Sequence, residues 1–188
     1  MILYLHGFRS SPASSKARRL GERMTALGLA KRFVCPQLPV SPRATIALVE
    51  SFLAAAETPV TLVGSSLGGC YATYLTEKHG CKAVLVNPAV VAHLSLRDFV
   101  GVHTHLYTDE TFEFTLDHLE ELVALDVARI TRPELFWLLV ETGDEVLDYR
   151  AAVARYAGAR QTVIEGGDHS FQHWDSYLDE IVRFASLG

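Results

Sequence analysis

The chain has 188 residues, of which 49% are hydrophobic and 21% are charged. These proportions are typical of a soluble globular protein and exclude a disordered, collagen-like or coiled-coil chain. The 17 Lys and Arg residues against 22 Asp and Glu residues give a formal net charge of −5, which argues against a general nucleic-acid-binding surface.

The length predicts a single domain over residues 1–188. No apolar run approaches the roughly 18 residues of a transmembrane helix, and the first residues lack the basic region of a signal peptide. The three cysteines, Cys35, Cys70 and Cys81, are odd in number and lie in or beside apolar runs, which indicates reduced thiols. We therefore expect a cytoplasmic protein without a membrane span.

Short apolar segments rich in Val, Ile, Leu and aromatic residues recur along the chain, and amphipathic stretches of helical period separate most of them. We interpret these segments as strands that are buried on both faces. They are Ile2–Leu5, Arg32–Cys35, Val60–Val63, Lys82–Val86, Leu135–Val140 and Gln161–Ile164. The alternation predicts an α/β fold with a mostly parallel sheet, helices on both faces and a ligand site at the carboxyl ends of the strands.

The connection between the fourth and fifth predicted strands is longer than a simple crossover needs, which predicts a small cap inserted at about residues 91–133. Its sequence indicates a loop around Gly101–Asp109 and an amphipathic helix around Leu116–Leu125. The insertion is more apolar than a solvent-exposed loop requires. Phe112 and Phe114 therefore either line an acyl pocket as substrate-binding residues or pack the cap against the sheet, and the sequence leaves both open.

The third predicted strand is followed by Gly-Ser-Ser-Leu-Gly and then by a helical pattern, which is the motif G-x-S-x-G between a strand and a helix. So tight a turn forces its central residue into strained backbone angles and directs the side chain out of the turn, beside a helix N-terminus. Ser66 occupies this central position and is the predicted nucleophile. Ser65 lies one position earlier and is expected to pack structurally.

A serine nucleophile needs a general base, and the base needs an acid that fixes its tautomer. Two later strand ends supply these groups, because Asp144 follows the fifth predicted strand and His169 follows the sixth. The chain order Ser66, Asp144, His169 is that of an α/β-hydrolase triad. Asp168 is adjacent to His169 along the chain, so their side chains should point apart, and we interpret Asp168 as a turn residue.

The tetrahedral intermediate of acyl transfer needs an oxyanion hole made of backbone N–H donors. In this chain order the donors are expected to be the amides of Phe8, after the first strand, and of Leu67, directly after the nucleophile. His6 is expected to organise the loop that follows the first strand. This chemistry requires no cofactor and no metal.

With these motifs the chain resembles the α/β-hydrolase superfamily and, more narrowly, the YqiA-like small bacterial esterases. The resemblance implies a shortened hydrolase sheet and the hydrolysis of short carboxyl esters and fatty acyl-thioesters, including those of coenzyme A. Asp168 stands where the family pattern has Asn, which further argues against it as the essential acid. The segments that carry the likeness are Leu3–Phe8 with Ser10–Pro12, Gly64–Gly69, Thr142–Arg150 and Arg160–His169.

Two other classes of function remain as alternatives. The fold also serves non-enzymatic proteins, so a catalytically silent binding protein is the second hypothesis, although such proteins usually lack a member of the triad. A metal site formed by His103, His105 and Asp109 is the third, although the sequence offers no fourth ligand. The sequence does not indicate an oligomeric state.

Positive charge is concentrated at the beginning of the chain, because residues 1–32 contain seven Lys and Arg residues and one Glu, a local net charge of +6. Arg9 lies one residue after the expected oxyanion donor Phe8, and Lys16, Arg18 and Arg19 begin the next helix. We expect part of this charge to border the active site, where it could attract the phosphates of a coenzyme A thioester. The alternative is an ordinary solvated helix face.

Overall fold

Strands and helices alternate along the chain in the computed structural model, which describes residues 1–187. The strands are β1 (Ile2–Leu5), β2 (Phe33–Val34), β3 (Thr61–Ser65), β4 (Lys82–Val86), β5 (Gly101–Thr104), β6 (Thr111–Phe114), β7 (Phe136–Glu141) and β8 (Arg160–Ile164). The helices are α1 (Ser15–Ala26), α2 (Pro42–Ala55), α3 (Leu67–His79), α4 (Ala92–Ser95), α5 (Leu116–Ala124), α6 (Tyr149–Arg155) and α7 (Trp174–Phe184). None of the helices described is both long and apolar enough to cross a bilayer.

Six of the strands form one sheet in the order β2-β1-β3-β4-β7-β8, and every neighbouring pair in it is parallel. The predicted fold class is therefore confirmed. From β1 the chain runs to β2 on one side and then crosses to β3 on the other. The carboxyl ends of β1 and β3 flank this reversal, which is where ligand sites form in such sheets.

The central strands are buried on both faces, and their alternate residues enter two apolar clusters. Leu3 and Leu5 of β1 pack with α2, α3 and α6. Ile2 and Tyr4 point to the opposite face, where they pack with α1 and α7. Each such Leu or Ile side chain contributes about 1.5–3 kcal/mol on burial, so two-sided packing favours continuous apolar strands over alternating ones.

The second strand is shorter than the predicted segment Arg32–Cys35, because β2 contains only Phe33 and Val34. It lies at the edge of the sheet and pairs with β1 alone. Pro36 follows soon after, and a proline has no backbone N–H to donate to a strand ladder. The ladder therefore ends before the apolar pattern does.

The long connection between β4 and β7 contains α4, an antiparallel hairpin of β5 and β6, and α5. The helix expected around Leu116–Leu125 is present as α5, but the loop expected around Gly101–Asp109 is partly wrong, since its first residues form β5. Only one face of this hairpin is packed. Val102 is 71% exposed, whereas Phe114 is 1% exposed, and four-residue strands of this kind leave little pattern in the sequence.

Helices α1 and α7 lie side by side and are joined by ion pairs of Arg19 with Asp175 and of Arg23 with Asp179. These four side chains remain substantially exposed, so the pairs contribute little to stability. Their main effect is on charge, because carboxylates of α7 neutralise part of the basic face of α1.

Candidate active site

Ser66 lies between β3 and α3 with φ of 54° and ψ of −119°, the strained backbone expected for the nucleophile turn. The turn closes only because α3 begins against the end of β1. A Cβ on Gly68 would lie 2.0 Å from the carbonyl oxygen of Leu5. Ser65, the last residue of β3, is buried.

Hydrogen bonds join the three side chains that the sequence predicts as a triad. The Oγ of Ser66 lies 3.1 Å from Nε2 of His169. The Nδ1 of the same imidazole lies 2.8 and 2.9 Å from the two carboxylate oxygens of Asp144. Because a carboxylate only accepts, Nδ1 carries the proton of a neutral imidazole, and Nε2 is then free to accept the proton of Ser66.

Asp144 is held in place by its own turn. Its Oδ1 accepts hydrogen bonds from the amides of Val146, at 2.9 Å, and of Leu147, at 2.8 Å, and its side chain is 2% exposed. Burial raises the pKa of this carboxyl, but the hydrogen bonds from His169 and from the two amides outweigh burial and hold the pKa below its ordinary value. Asp144 therefore remains ionised at neutral pH.

Asp168 contacts different groups. Its carboxylate accepts hydrogen bonds from the Ser170 amide at 2.8 Å and from the Gln172 side chain at 2.8 Å, and it is part of a turn at the start of α7. Among the hydrogen bonds of residues 1–187, none joins its carboxylate to the imidazole of His169.

The two expected oxyanion donors are the amides of Phe8, in the loop after β1, and of Leu67, at the start of α3. Leu67 is the first residue of α3, so its N–H has no acceptor within the helix, and the Phe8 amide has no acceptor among the described residues. The β1 loop approaches the serine closely, since a Cβ on Gly7 would lie 3.2 Å from Cβ of Ser66. Both amides are thus available for a ligand beside Ser66.

His6 connects this loop to the chain that leads into α2. Its Nδ1 lies 3.0 Å from the carbonyl oxygen of Gly7, and its Nε2 lies 3.1 Å from the amide of Leu38. The carbonyl must accept and the amide must donate, so His6 is the neutral tautomer with its proton on Nδ1. Burial lowers the pKa of His6 and stabilises this neutral form.

The ring of Phe8 is surrounded by aromatic side chains of the cap. Phe99, Phe112 and Phe114 pack edge-to-face against it at centroid distances of 5.9, 5.7 and 5.2 Å. His103 completes the group at 5.4 Å. Such aromatic pairs each add about 0.5–1.5 kcal/mol beyond area burial, so the cap stabilises the position of Phe8, whose amide is an expected oxyanion donor.

Phe112 and Phe114, expected as substrate-binding residues, occupy different positions. Phe114 is 1% exposed and is part of the apolar core, which corresponds to the packing alternative. Phe112 is half-buried and lines a small cavity together with Leu67 and Tyr71. This cavity measures about 30 Å³, room for about two water-sized groups.

Arg9, the third expected substrate-binding residue, is bonded to the hairpin. Its Nε donates to the Thr104 carbonyl at 3.0 Å, and its own carbonyl accepts from the Leu106 amide at 2.8 Å. Its φ of 58° is in the left-handed region that non-glycine residues seldom adopt. These contacts attach the β1 loop to the cap. They also use one N–H of the guanidinium that was expected to attract the phosphates of a coenzyme A thioester.

A cleft of about 660 Å³ opens beside Ser66 and His169. Lys16, Arg18 and Arg19 at the start of α1 form part of its wall. Lys16 donates from Nζ to the carbonyl of Ser170 at 2.7 Å. Burial lowers the pKa of this ammonium to about 8, although the nearby charge of Asp168 opposes the shift.

The residues of the alternative metal site have other partners. His103 bonds to the carbonyl of Phe99 at 2.6 Å, and the ring of His105 packs on Phe112 at 4.6 Å. Within residues 1–187, no three His, Cys, Asp or Glu side chains converge on a position that could hold a metal ion.

Three residues around the candidate base were not singled out from the sequence. Asn87, Glu141 and Glu145 each bond to the loop that carries His169. A charged residue at the end of the otherwise apolar segment 136–140 was the available signal for Glu141. Asn87 directly follows β4, and thus it lies at the sheet edge where the site was expected.

The sheet order and the serine turn after β3 define the α/β-hydrolase fold, and solved structures share it. The protein resembles the alpha/beta hydrolase domain-containing protein 10 from mouse, with a TM-score of 0.73 and 18% identity. The match covers 97% of this chain and 89% of the mouse chain. The esterase domain of a Rhodothermus marinus protein matches 98% of this chain and 85% of its own, with a TM-score of 0.71 and 17% identity. Est1E from Butyrivibrio proteoclasticus has a TM-score of 0.68 and 13% identity, over 97% of this chain and 85% of its own. At these identities the likeness establishes the fold.

Residues 1–186 match the uncharacterised protein family UPF0227, and the chain belongs to this family. The match confirms the resemblance to the YqiA-like family that the sequence motifs indicate.

We expect Gly68→Ala to lower the free energy of unfolding by about 3 kcal/mol or more, because the new Cβ overlaps the backbone of Leu5 and the first turn of α3 must move. Gly28→Ala is the matched control, since Gly28 has a left-handed φ of 71° but no atom within 4 Å of the added Cβ. The control should lose only about 1–2 kcal/mol from backbone strain. Equal losses in denaturant unfolding would contradict the close approach.

Proposed function

We propose that the protein is a serine hydrolase that cleaves carboxylic esters and acyl thioesters through an acyl-enzyme, with Ser66 as nucleophile. The observation that carries the proposal is the series of hydrogen bonds from Asp144 through His169 to Ser66, whose hydroxyl faces an open cleft. Nucleophile, base and orienting acid are thereby within reach of one another. The free thiols of the three cysteines are in keeping with a cytoplasmic setting.

In the first half-reaction, Oγ of Ser66 attacks the carbonyl carbon of the substrate while its proton passes to Nε2 of His169. The Asp144 carboxylate stabilises the imidazolium that forms. The carbonyl oxygen takes up the negative charge and accepts hydrogen bonds from the amides of Phe8 and Leu67. Collapse of this intermediate breaks the bond to the alcohol or thiol, which leaves with the proton from His169.

In the second half-reaction, water attacks the acyl-enzyme and gives a proton to His169. The same two amides hold the second oxyanion. Its collapse releases the carboxylic acid, and the proton returns from His169 to Ser66. These steps need only groups of this chain and water.

The position of the proposed base favours one orientation of the substrate. His169 must protonate the leaving group, so the leaving group lies in the large cleft that His169 and the start of α1 share. The acyl group then lies towards the small cavity lined by Phe112 and Leu67. In this arrangement Lys16 and Arg18 face the leaving group.

A fluorophosphonate probe reacts with an activated serine, and we expect it to label the wild-type protein at Ser66 only. Ser66→Ala should abolish both labelling and ester hydrolysis, because it removes the nucleophile. Ser65→Ala is the matched control and should keep the labelling. Mass spectrometry of the labelled peptide decides the assignment, and a label on any other serine would refute it.

Asp144→Asn should lower kcat by about 10³- to 10⁴-fold, since an amide at this position no longer fixes the tautomer of His169. Asp168→Asn offers a control of identical chemistry, and it should change kcat less than about threefold because the Asp168 carboxylate hydrogen-bonds only to Ser170 and Gln172 of its own turn. The opposite ranking in steady-state kinetics would show that Asp168 is the acid.

The charge of Lys16 should influence substrates with an anionic leaving group. Its pKa is lowered to about 8, so the side chain is cationic below this pH and becomes neutral as pH rises through it. The measured quantity is the ratio of kcat/KM for an acyl-coenzyme A to kcat/KM for an uncharged ester of the same acyl group. We expect this ratio to fall as pH rises from 7 to 9, a range chosen around the pKa of Lys16. The ratio cancels every pH dependence that the two substrates share.

Lys16→Met should remove this pH dependence of the ratio. Lys31→Met is the control, because Lys31 precedes β2 at the opposite end of the sheet and should leave the ratio unchanged. A ratio that is independent of pH in the wild-type protein would limit the proposal to esters without an anionic leaving group.

A further inference from the structure

The loop between β8 and α7, residues 165–173, carries His169 and bonds to one buried carboxylate. Glu141 is the last residue of β7 and is 0% exposed. Its two oxygens accept four hydrogen bonds. The donors are the amides of Asp168 at 2.8 Å, Gln172 at 3.0 Å and His173 at 3.0 Å, and the Nδ1 of His173 at 2.7 Å.

A carboxylate so deeply buried must be compensated, since an unpaired charge in the interior is strongly unfavourable. Burial raises the pKa of Glu141, but the hydrogen bonds from His173, Asp168 and Gln172 outweigh it and keep the pKa below its ordinary value. The amides of Gln172 and His173 also precede α7, where the helix dipole favours negative charge. The carboxylate therefore stays ionised and binds the loop strongly.

Side chains also hold the peptide groups of His169 itself. Glu145 accepts the His169 amide at 2.9 Å, and Asn87 donates from Nδ2 to the carbonyls of Asp168, at 3.0 Å, and of His169, at 3.3 Å. The Oδ1 of Asn87 accepts the Glu141 amide at 3.1 Å. The loop is thus bonded to the ends of β4 and β7 and to the turn after β7.

Glu141 also bonds to the turn that supplies the orienting acid, because its carbonyl accepts the amide of Asp144 at 3.3 Å. Through its side chain and its backbone, one residue contacts the segments that carry both His169 and Asp144. The relative position of the two segments fixes the distance from the imidazole to Ser66, and small displacements in such sites are costly to the rate.

We propose that Glu141 is a positioning residue of the site, whose carboxylate sets the loop of His169 so that Nε2 meets the hydroxyl of Ser66. The inference rests on the proposed function for its effect on turnover. Glutamine would not replace Glu141, since it has one acceptor oxygen and would turn an NH₂ group towards N–H donors. Aspartate keeps the charge but is one methylene shorter, so it reaches fewer of the four donors.

The test compares Glu141→Gln with Glu77→Gln. Glu77 on α3 anchors a loop in the same way, by accepting the amides of Thr131 and Arg132, but that loop lies before β7 and away from the cleft. Three quantities are measured for both: kcat and KM with a p-nitrophenyl ester, the melting temperature, and the low-field proton NMR signal of the His169 Nδ1–H that bonds to Asp144.

We expect Glu141→Gln to lower kcat by about 10- to 100-fold, with KM changed less than about threefold, and to shift or broaden the low-field signal. Glu77→Gln should lower the melting temperature but leave kcat and the signal unchanged. If Glu141→Gln does not fold, Glu141→Asp is measured instead, and it should give a smaller loss of kcat together with a smaller change in the signal.

A Glu141 variant that loses stability as Glu77→Gln does, while kcat and the NMR signal match the wild type, would overturn the positioning role. Failure of the proposed function gives a different result, in which Ser66→Ala retains the ester hydrolysis of the wild type. The low-field signal does not depend on turnover, so it tests the positioning role of Glu141 whether or not the protein hydrolyses esters.

Discussion

The first turn of α3 lies against the end of β1 so closely that backbone contacts backbone, with Gly68 above the carbonyl of Leu5. This approach brings the amide of Leu67 and the hydroxyl of Ser66 beside the loop that follows β1. The strained φ of Ser66 is tolerated because β3, α3 and the neighbouring strands determine its position from several sides. The remaining groups of the site are arranged around this turn, at the carboxyl ends of β1, β7 and β8.

Much of this arrangement could be predicted from the sequence, for physical reasons. Central strands buried on both faces leave continuous apolar runs, and so β1, β4 and β7 were recognisable to within a residue or two. The glycines around Ser66 indicated a tight turn between a strand and a helix, because larger side chains at these positions would clash with the neighbouring backbone. Asp144 and His169 could be selected because parallel strands place their carboxyl ends at one edge.

Other features depend on tertiary contacts that leave little trace in the sequence. Each strand of the β5–β6 hairpin has only four residues, so the alternation of polar and apolar residues in Thr111–Phe114 was too short to indicate a strand. The partners of Arg19 and Arg23 lie on α7, far along the chain, and a basic helix face alone does not indicate them. Likewise, the donors to Glu141 lie on a loop about thirty residues later, so a charged residue at the end of an apolar segment marks its position but does not indicate its partners.

Phe8 belongs to two parts of the molecule, because its ring is packed among aromatic residues of the cap and its amide is the proposed oxyanion donor. Under the proposed mechanism, an acyl group too large for the cavity beside Phe112 has to displace the hairpin, and the hairpin carries Phe8 with it. Such a substrate still occupies the open cleft, but its oxyanion loses a donor. Displacing the hairpin costs free energy on binding, and the lost donor slows the chemical step, so acyl groups of this kind are selected against in both steps.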